Sequence, residues 1–178
     1  MGQEPRGVMS AEEISLVVTR MAHEILERTH GGEDAVLLGI PTRGVPLARR
    51  LGEVMAQGGS TVPVGQLDIT MYRDDLRRNP TRPVGRSHVP PIDGRTVVLV
   101  DDVLNSGRTV QAAMLALADL GRARAVLLTV LVDRGLRELP IQGDVVGKSL
   151  PTARSERVRV QLAEIDGVDR VTIERSTS

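Results

Sequence analysis

The run from Val97 to Thr109, VVLVDDVLNSGRT, constrains the fold of this chain more than any other feature. Its apolar, largely β-branched beginning predicts a buried strand over Thr96 to Val100. Two aspartates and a turn of small polar residues follow, and the spacing of apolar residues then predicts a helix from Val110 to Leu120. A strand, a tight polar loop and a helix in this order are typical of an α/β protein with a parallel sheet.

The same order of elements recurs elsewhere in the chain. Ala35 to Ile40 is predicted to be a buried strand, and the polar loop Pro41 to Gly44 leads into a helix that ends at Gly58-Gly59. A further buried strand is predicted from Ala125 to Val132. A capping box, Ser10 with Glu13, predicts that the first helix runs from Ala11 to Arg28. The predicted fold is therefore α/β, with a central, mainly parallel sheet flanked by helices.

Three segments depart from this alternation. Residues Val64 to Tyr72 alternate between apolar and polar side chains, which predicts a strand. Residues 73–95 are rich in proline and arginine without apolar periodicity, and we interpret them as a flexible lid. Residues 133–178 predict a small C-terminal hood with an antiparallel hairpin at Asp166-Gly167. The length of 178 residues suits one domain that includes all of these parts.

Composition excludes several kinds of function. The chain has no cysteine, which rules out disulfides, thiol catalysis and cysteine-bound metals. Tyr72 is the single aromatic residue, so stacking platforms for bases are nearly missing. The formal net charge is 0, and the three histidines are scattered. The chain lacks a long apolar run and a signal pattern, so we expect a cytoplasmic protein that does not bind membranes.

The loops predicted at the carboxyl ends of the strands carry the candidate chemistry, because ligands of parallel sheets bind there. Backbone N–H groups of residues 106–109 are suited to bind a phosphate at the start of a helix. Asp101 and Asp102 precede that loop, where they suit the hydroxyls of a phosphorylated sugar and Mg²⁺. Thr42 to Gly44 offers a second anion site, and Tyr72 to Asp75 supplies charges at the root of the lid.

Five segments together resemble a known family. VVLVDDVLNSGRT is similar to the phosphoribosyl-diphosphate signature of type I phosphoribosyltransferases. The other four are GIPTRGVPLARRL (39–51), LDITMYRDDL (67–76), VLVDRGLRELPI (130–141) and VGKSLPTARSERVRVQL (146–162). With these, the chain resembles the bifunctional pyrimidine-operon attenuation regulators that are also uracil phosphoribosyltransferases, from about Ser10 to Ile173.

The resemblance implies the type I phosphoribosyltransferase fold and two activities. One is the Mg²⁺-dependent conversion of uracil and 5-phosphoribosyl diphosphate to UMP and diphosphate. The other is UMP-dependent binding to the mRNA leader of pyrimidine operons, which attenuates their transcription. It also implies a homodimer or homotetramer.

The resemblance further implies roles for individual residues. Asp101 and Asp102 would be the catalytic pair and would bind Mg²⁺, mostly through substrate and water. The residues implied to bind 5-phosphoribosyl diphosphate and nucleotide are Thr42, Arg43, Gly44, Tyr72, Arg73, Asp74, Val103, Leu104, Asn105, Ser106, Gly107, Arg108, Thr109, Asp133, Arg134 and Val158. The residues implied to bind RNA are Thr19, Arg20, His23, Arg28, Lys148, Arg154 and Arg157.

Two positions depart from the family pattern. Asn105 stands where the family usually has an aromatic residue, and Leu136 replaces the usual histidine. These changes leave two alternatives open. Beside the bifunctional protein that the resemblance implies, the first alternative is an RNA-binding attenuator with weak or no catalysis, and the second is a phosphoribosyltransferase for another base.

Overall fold

The computed structural model describes residues 4–73 and 88–175. Residues 74–87 of the predicted lid, and with them Asp74, lie outside this range. The helices are α1 (Ala11–Arg28), α2 (Gly44–Gln57), α3 (Arg108–Leu120) and α4 (Ala163–Asp166). The strands are β1 (Arg6–Met9), β2 (Ala35–Gly39), β3 (Val64–Gln66), β4 (Thr96–Leu104), β5 (Ala125–Asp133), β6 (Val145–Ser149), β7 (Glu156–Gln161) and β8 (Arg170–Arg175).

Within the described ranges, a five-stranded sheet has the order β3-β2-β4-β5-β6, and each neighbouring pair is parallel. Side chains such as Leu37 and Val98 pack on one face with α1 and α2. Their neighbours Val36 and Val97 pack on the other face with α3. This arrangement confirms the predicted α/β fold, and it places β4 with its two aspartates at the centre of the sheet.

The first helix has the predicted bounds, Ala11–Arg28. Ser10 Oγ accepts the backbone N–H of Glu13 at 3.2 Å, and the Glu13 carboxylate accepts the N–H of Ser10 at 2.7 Å. This capping box satisfies two N–H groups that the helix cannot pair internally. Within the part of the chain that the structure describes, no helix is long and apolar enough to cross a membrane.

The strand predicted over Val64 to Tyr72 is wrong beyond Gln66. Thr70 donates both its backbone N–H and its hydroxyl to Asp68 Oδ1, at 2.8 and 2.6 Å. This local bonding turns the chain into a 3₁₀ turn at Thr70–Tyr72 and competes with strand pairing. As a result Met71, which the alternation predicted to lie on the same strand face as Ile69, is 65% exposed, whereas Ile69 is buried.

The hood is a three-stranded antiparallel sheet in the order β1-β8-β7. The predicted hairpin is present as β7 and β8, with α4 and Gly167 in the connection. Strand β1 was not predicted, because a four-residue segment becomes a strand only by pairing with β8. Within 133–178, the segment β6 is not part of the hood, since it pairs with β5 at the edge of the main sheet.

Candidate functional site

The loop between β4 and α3 has the geometry of an anion site. Gly107 lies in the left-handed region, with φ at 94°, immediately before the helix. Among the described residues, the backbone N–H groups of Ser106, Gly107 and Thr109 donate to no acceptor. The backbone N–H of Arg108 donates a hydrogen bond to Ser106 Oγ at 3.3 Å. Unpaired N–H groups at the positive end of a helix dipole favour an anion such as a phosphate.

Arg137 holds this loop in place, a role that the sequence analysis did not assign to it. Its guanidinium donates to the carbonyls of Asn105 and Ile141 at 2.8 and 2.6 Å, and to Asp133 Oδ2 at 2.6 Å. The carbonyl of Ser106 accepts two further N–H groups from residues 138 and 139. The segment DRGLRELP was recognised as a motif, but only the fold shows that its arginine holds the neighbouring loop.

The two aspartates lie at the end of β4 in different environments. Asp101 is only 8% exposed, and burial together with the neighbouring Asp102 carboxylate raises its pKa well above the ordinary value. Arg73, at the root of the predicted lid, opposes this rise in pKa. Asp101 Oδ1 also accepts the N–H of Asp102 at 2.9 Å, whereas Asp102 is partly exposed. The pair therefore presents one accessible carboxylate and one buried carboxyl group.

The loop from Pro41 to Gly44 packs directly against β4. A Cβ atom on Gly44 would lie 2.3 Å from the carbonyl oxygen of Val100, so only glycine fits there. The N–H of Ile40 donates to that same carbonyl at 2.9 Å. This close packing brings Thr42 and Arg43 to the edge of the sheet where β4 presents its aspartates.

The side chain of Arg43 forms an ion pair with the hood. It donates to Asp166 in the hood, from Nη2 at 2.8 Å and from Nε at 3.2 Å. The hydrogen bond from Arg43 and the N–H of Leu162 lower the pKa of Asp166, and the same ion pair raises the pKa of Arg43. The sequence did not predict this bridge, because its partners are far apart in the chain.

A cleft of about 380 Å³ separates the main sheet from the hood. Arg43 and Asp102 line it from the main sheet, and Val158 and Arg157 line it from β7. The cleft thus brings together residues that were predicted to bind nucleotide. Arg157 was predicted to bind RNA, but the structure places it here, beside Asp102.

The ends of β5 and β4 are joined by Asp133 and Arg134. The N–H of Arg134 donates to the carbonyl of Leu104 at 3.1 Å. The buried guanidinium of Arg134 donates hydrogen bonds to Thr152 Oγ1 and to the carbonyls of Ala153 and Glu156, at 2.6 to 3.0 Å. Burial lowers the pKa of Arg134. Its side chain therefore anchors the connection to the hood, and its predicted contact with a ligand stays a prediction.

Tyr72 lies at the last described turn before residues 74–87. Its hydroxyl donates to the carboxylate of Asp119 on α3, and this bond raises the pKa of Tyr72. The root of the predicted lid is therefore attached to the helix that begins at the anion loop.

Four of the predicted RNA-binding residues lie on α1. Arg20 donates to the carbonyls of Val146 and Gly147 on β6, at 3.1 and 2.6 Å. These bonds bring α1 next to Lys148, the following residue of β6. His23 and Arg28 are exposed on the same helix, whereas Thr19 is partly buried and bonds to its own helix. Arg154 is exposed in the connection that leads to β7.

The carboxylates of Asp101 and Asp102 suit Mg²⁺ only where water and substrate oxygens supply the other ligands. Among residues 4–73 and 88–175, no group of three or more histidine, cysteine or acidic side chains is placed to hold a metal. Two carboxylates at the end of β4 match the usual pattern for Mg²⁺, in which one or two protein carboxylates are joined by water and substrate phosphate oxygens.

Comparison with known proteins defines the class. The sequence pattern of the family described as phosphoribosyl transferase domain matches residues 9–164. The chain therefore belongs to the phosphoribosyltransferase family. A solved hypoxanthine-guanine phosphoribosyltransferase from Bacillus anthracis shares the fold, with a TM-score of 0.73 at 18% identity over 97% of this chain and 98% of that chain.

Two curated relatives with the same name are about 60% identical to this chain. A protein from Streptomyces coelicolor named bifunctional protein PyrR is 61% identical over 174 residues, which cover 96% of this chain and 90% of the relative. A protein of the same name from Leifsonia xyli subsp. xyli is 60% identical over 176 residues, covering 95% and 96%.

Proposed function

We propose that this protein transfers the phosphoribosyl group of 5-phosphoribosyl diphosphate to uracil, giving UMP and diphosphate. The observation that carries the proposal is the anion loop at residues 106–109, which follows β4, the strand whose Asp102 lines the cleft beneath the hood. The similarity to proteins named bifunctional protein PyrR supports uracil as the base.

Each part of the substrate has a suitable partner. The N–H groups of the loop at Ser106 to Thr109 bind the 5′-phosphate, and Asp102 accepts hydrogen bonds from the ribose hydroxyls. Thr42 and Arg43 bind the diphosphate. The pyrimidine lies against Val158 on the hood. Of these residues, Arg43, Asp102 and Val158 line the cleft beneath the hood.

The proposed chemistry needs no strong nucleophile. The bond from the anomeric carbon to diphosphate breaks as the bond to N1 of uracil forms, the N1 proton of uracil is released to water, and positive charge develops on the ribose in the transition state. Asp101 and Asp102 stabilise that charge, while Arg43 stabilises the departing diphosphate. Holding both reactants in one cleft supplies the remaining rate enhancement by orientation.

Mg²⁺ belongs to this proposal as a companion of the substrate. It would neutralise diphosphate charge, held by substrate oxygens and water with Asp101 and Asp102 nearby. Asp102 is the more accessible of the two, because Asp101 is buried and its pKa is raised.

The second activity we propose is UMP-dependent binding of an mRNA leader from pyrimidine operons. It is supported by the exposed cations of α1 and by Arg20, which joins that helix to β6 beside Lys148. Such a surface binds RNA through phosphates and 2′-hydroxyls, since the chain has almost no aromatic residues for stacking. A homodimer or homotetramer remains a prediction from the resemblance.

The RNA activity predicts a loss of affinity in Arg28→Gln, a variant that removes an exposed cation of α1. We expect weaker binding to a pyrimidine-leader hairpin, tightening of the wild-type complex by UMP, and a steep decrease with salt. Filter binding at several salt concentrations measures this, with Arg124→Gln as the control cation away from α1. Equal, UMP-independent binding to any RNA of that length would contradict the proposal.

The transferase activity is tested by Asp101→Asn combined with Asp102→Asn. We expect UMP formation to fall by orders of magnitude while the thermal unfolding midpoint does not decrease, because the substitutions preserve side-chain volume. Unchanged turnover would contradict the role of the acid pair.

A further inference from the structure

The hood is attached to α2 by two arginines and three carboxylates. Arg43, at the start of α2, bonds Asp166, whereas Arg50, two turns later, bonds both Glu164 and Asp169. The Arg50 contacts range from 2.6 to 2.8 Å. All three carboxylates lie within residues 163–169, in and next to α4.

The two arginines differ in whether a guanidinium nitrogen is available to bind a ligand. Arg50 gives Nε, Nη1 and Nη2 to hood carboxylates, and its side chain is 19% exposed. Arg43 gives Nε and Nη2 to Asp166, and its side chain is 30% exposed in the cleft that contains Asp102. Within the described residues, Nη1 of Arg43 has no acceptor. Arg50 therefore serves the attachment alone, whereas Arg43 keeps one nitrogen for a ligand.

The carboxylate of Asp166 is itself held in place. Its Oδ2 atom accepts the backbone N–H of Leu162 at 2.8 Å. Gly167, in the left-handed region with φ at 74°, ends the turn directly after it. The hood thus fixes this carboxylate independently of Arg43, and a fixed carboxylate that takes two nitrogens of a guanidinium determines where the third nitrogen points.

We propose that Asp166 is a positioning residue for phosphoribosyl transfer. It holds Arg43 so that Nη1 is directed into the cleft, where it binds the diphosphate of the substrate and of the product. The inference rests on the proposed function, because it assigns the diphosphate to Arg43. It also makes diphosphate binding depend on the position of the hood, which links the two sides of the cleft.

The test is Asp166→Asn, compared with Glu164→Gln as the matched control. Both substitutions neutralise one hood carboxylate in an ion pair with α2, but Glu164 does not touch Arg43. We expect Asp166→Asn to weaken binding of Mg²⁺-diphosphate about tenfold in titration calorimetry, as expected for one charge-assisted hydrogen bond. The KM for 5-phosphoribosyl diphosphate should rise by a similar factor, with the KM for uracil unchanged. Glu164→Gln should leave all three constants unchanged.

A double-mutant cycle shows whether Asp166 acts through Arg43. In the Arg43→Ala background, Asp166→Asn should have no further effect on diphosphate binding. Asp166→Glu keeps the charge but moves the carboxylate by one methylene, so it should cause a smaller loss and keeps the test available if the asparagine variant fails to fold.

Three outcomes would overturn the inference. They are equal effects of Asp166→Asn and Glu164→Gln, tighter diphosphate binding in Asp166→Asn, and absence of diphosphate binding in the wild type. Failure of the proposed function is seen separately, as a wild type that binds diphosphate but forms no UMP.

Discussion

At the scale of single residues, the buried carboxyl group of Asp101 lies in an environment that is unfavourable for stability. Its carboxyl group lies beside a second carboxylate in a buried position, and both conditions raise its pKa. A group in such an environment opposes folding when it is charged. Its position at the end of β4 agrees with the role in the ribose site that we propose.

This environment predicts that the single substitution Asp101→Asn stabilises the protein at neutral pH while it lowers turnover. Asparagine keeps the acceptor for the N–H of Asp102 and cannot ionise, so we expect the free energy of unfolding to increase. Urea unfolding measures it. A matched Asp93→Asn variant, at an exposed turn, should show no comparable gain. A less stable Asp101→Asn variant would contradict the account.

Gly107 carries a second prediction at this scale. Alanine there must adopt a φ of 94°, and its Cβ would lie 3.2 Å from Ile141. We expect Gly107→Ala to reduce the free energy of unfolding by about 1–2 kcal/mol and to weaken phosphate binding. Gly94→Ala is the control, because Gly94 has a φ of 71° with open space around it. It should lose stability without any change in phosphate binding; equal binding losses in both variants would contradict the account.

At the scale of elements, the sequence predicts best where one local pattern determines the structure. The capping box and apolar spacing of α1 predicted both of its ends. The alternation over Val64 to Tyr72 was misleading, since Asp68 captures Thr70 in a turn. Strand β1 and the bridge from Arg43 to Asp166 depend on partners more than a hundred residues away in the chain. No local pattern indicates such partners.

The attachment of the hood predicts a dependence of stability on acid. The pKa values of Glu164, Asp166 and Asp169 are lowered mainly by hydrogen bonds from Arg43 and Arg50. A carboxyl group whose pKa is lower in the folded state stabilises the protein above its unfolded pKa, about 4, and this contribution is lost as the pH falls through the folded value.

We therefore expect the free energy of unfolding to decrease below about pH 4, and to decrease less steeply in Arg50→Gln, because that variant has already lost two of the ion pairs. Chemical unfolding at a series of pH values measures this. Arg124→Gln is the control, since Arg124 pairs with the exposed Asp34 outside the hood. The same acid dependence in Arg50→Gln and the wild type would contradict the role of these pairs.

At the scale of the whole molecule, a cleft lies between the parallel sheet and the hood, and its lining includes Arg43 after β2, Asp102 of β4 and residues of β7 and β8. The sequence predicted that the polar loops after Ile40, Val100 and Val132 belong together, because the carboxyl ends of parallel strands share an edge. It could not predict which side chains face the cleft and which serve the fold. Arg134 and Arg137 were two arginines of one motif, and the structure uses both to hold main-chain carbonyls.

The most direct test of the central claim is formation of UMP from uracil and 5-phosphoribosyl diphosphate in the presence of Mg²⁺, with hypoxanthine and orotate as competing bases. We predict that labelled uracil appears in UMP and that diphosphate is released in equal amount, with neither competing base converted at a comparable rate. Turnover of hypoxanthine or orotate in preference to uracil, or release of no diphosphate with any of the three bases, would contradict the account.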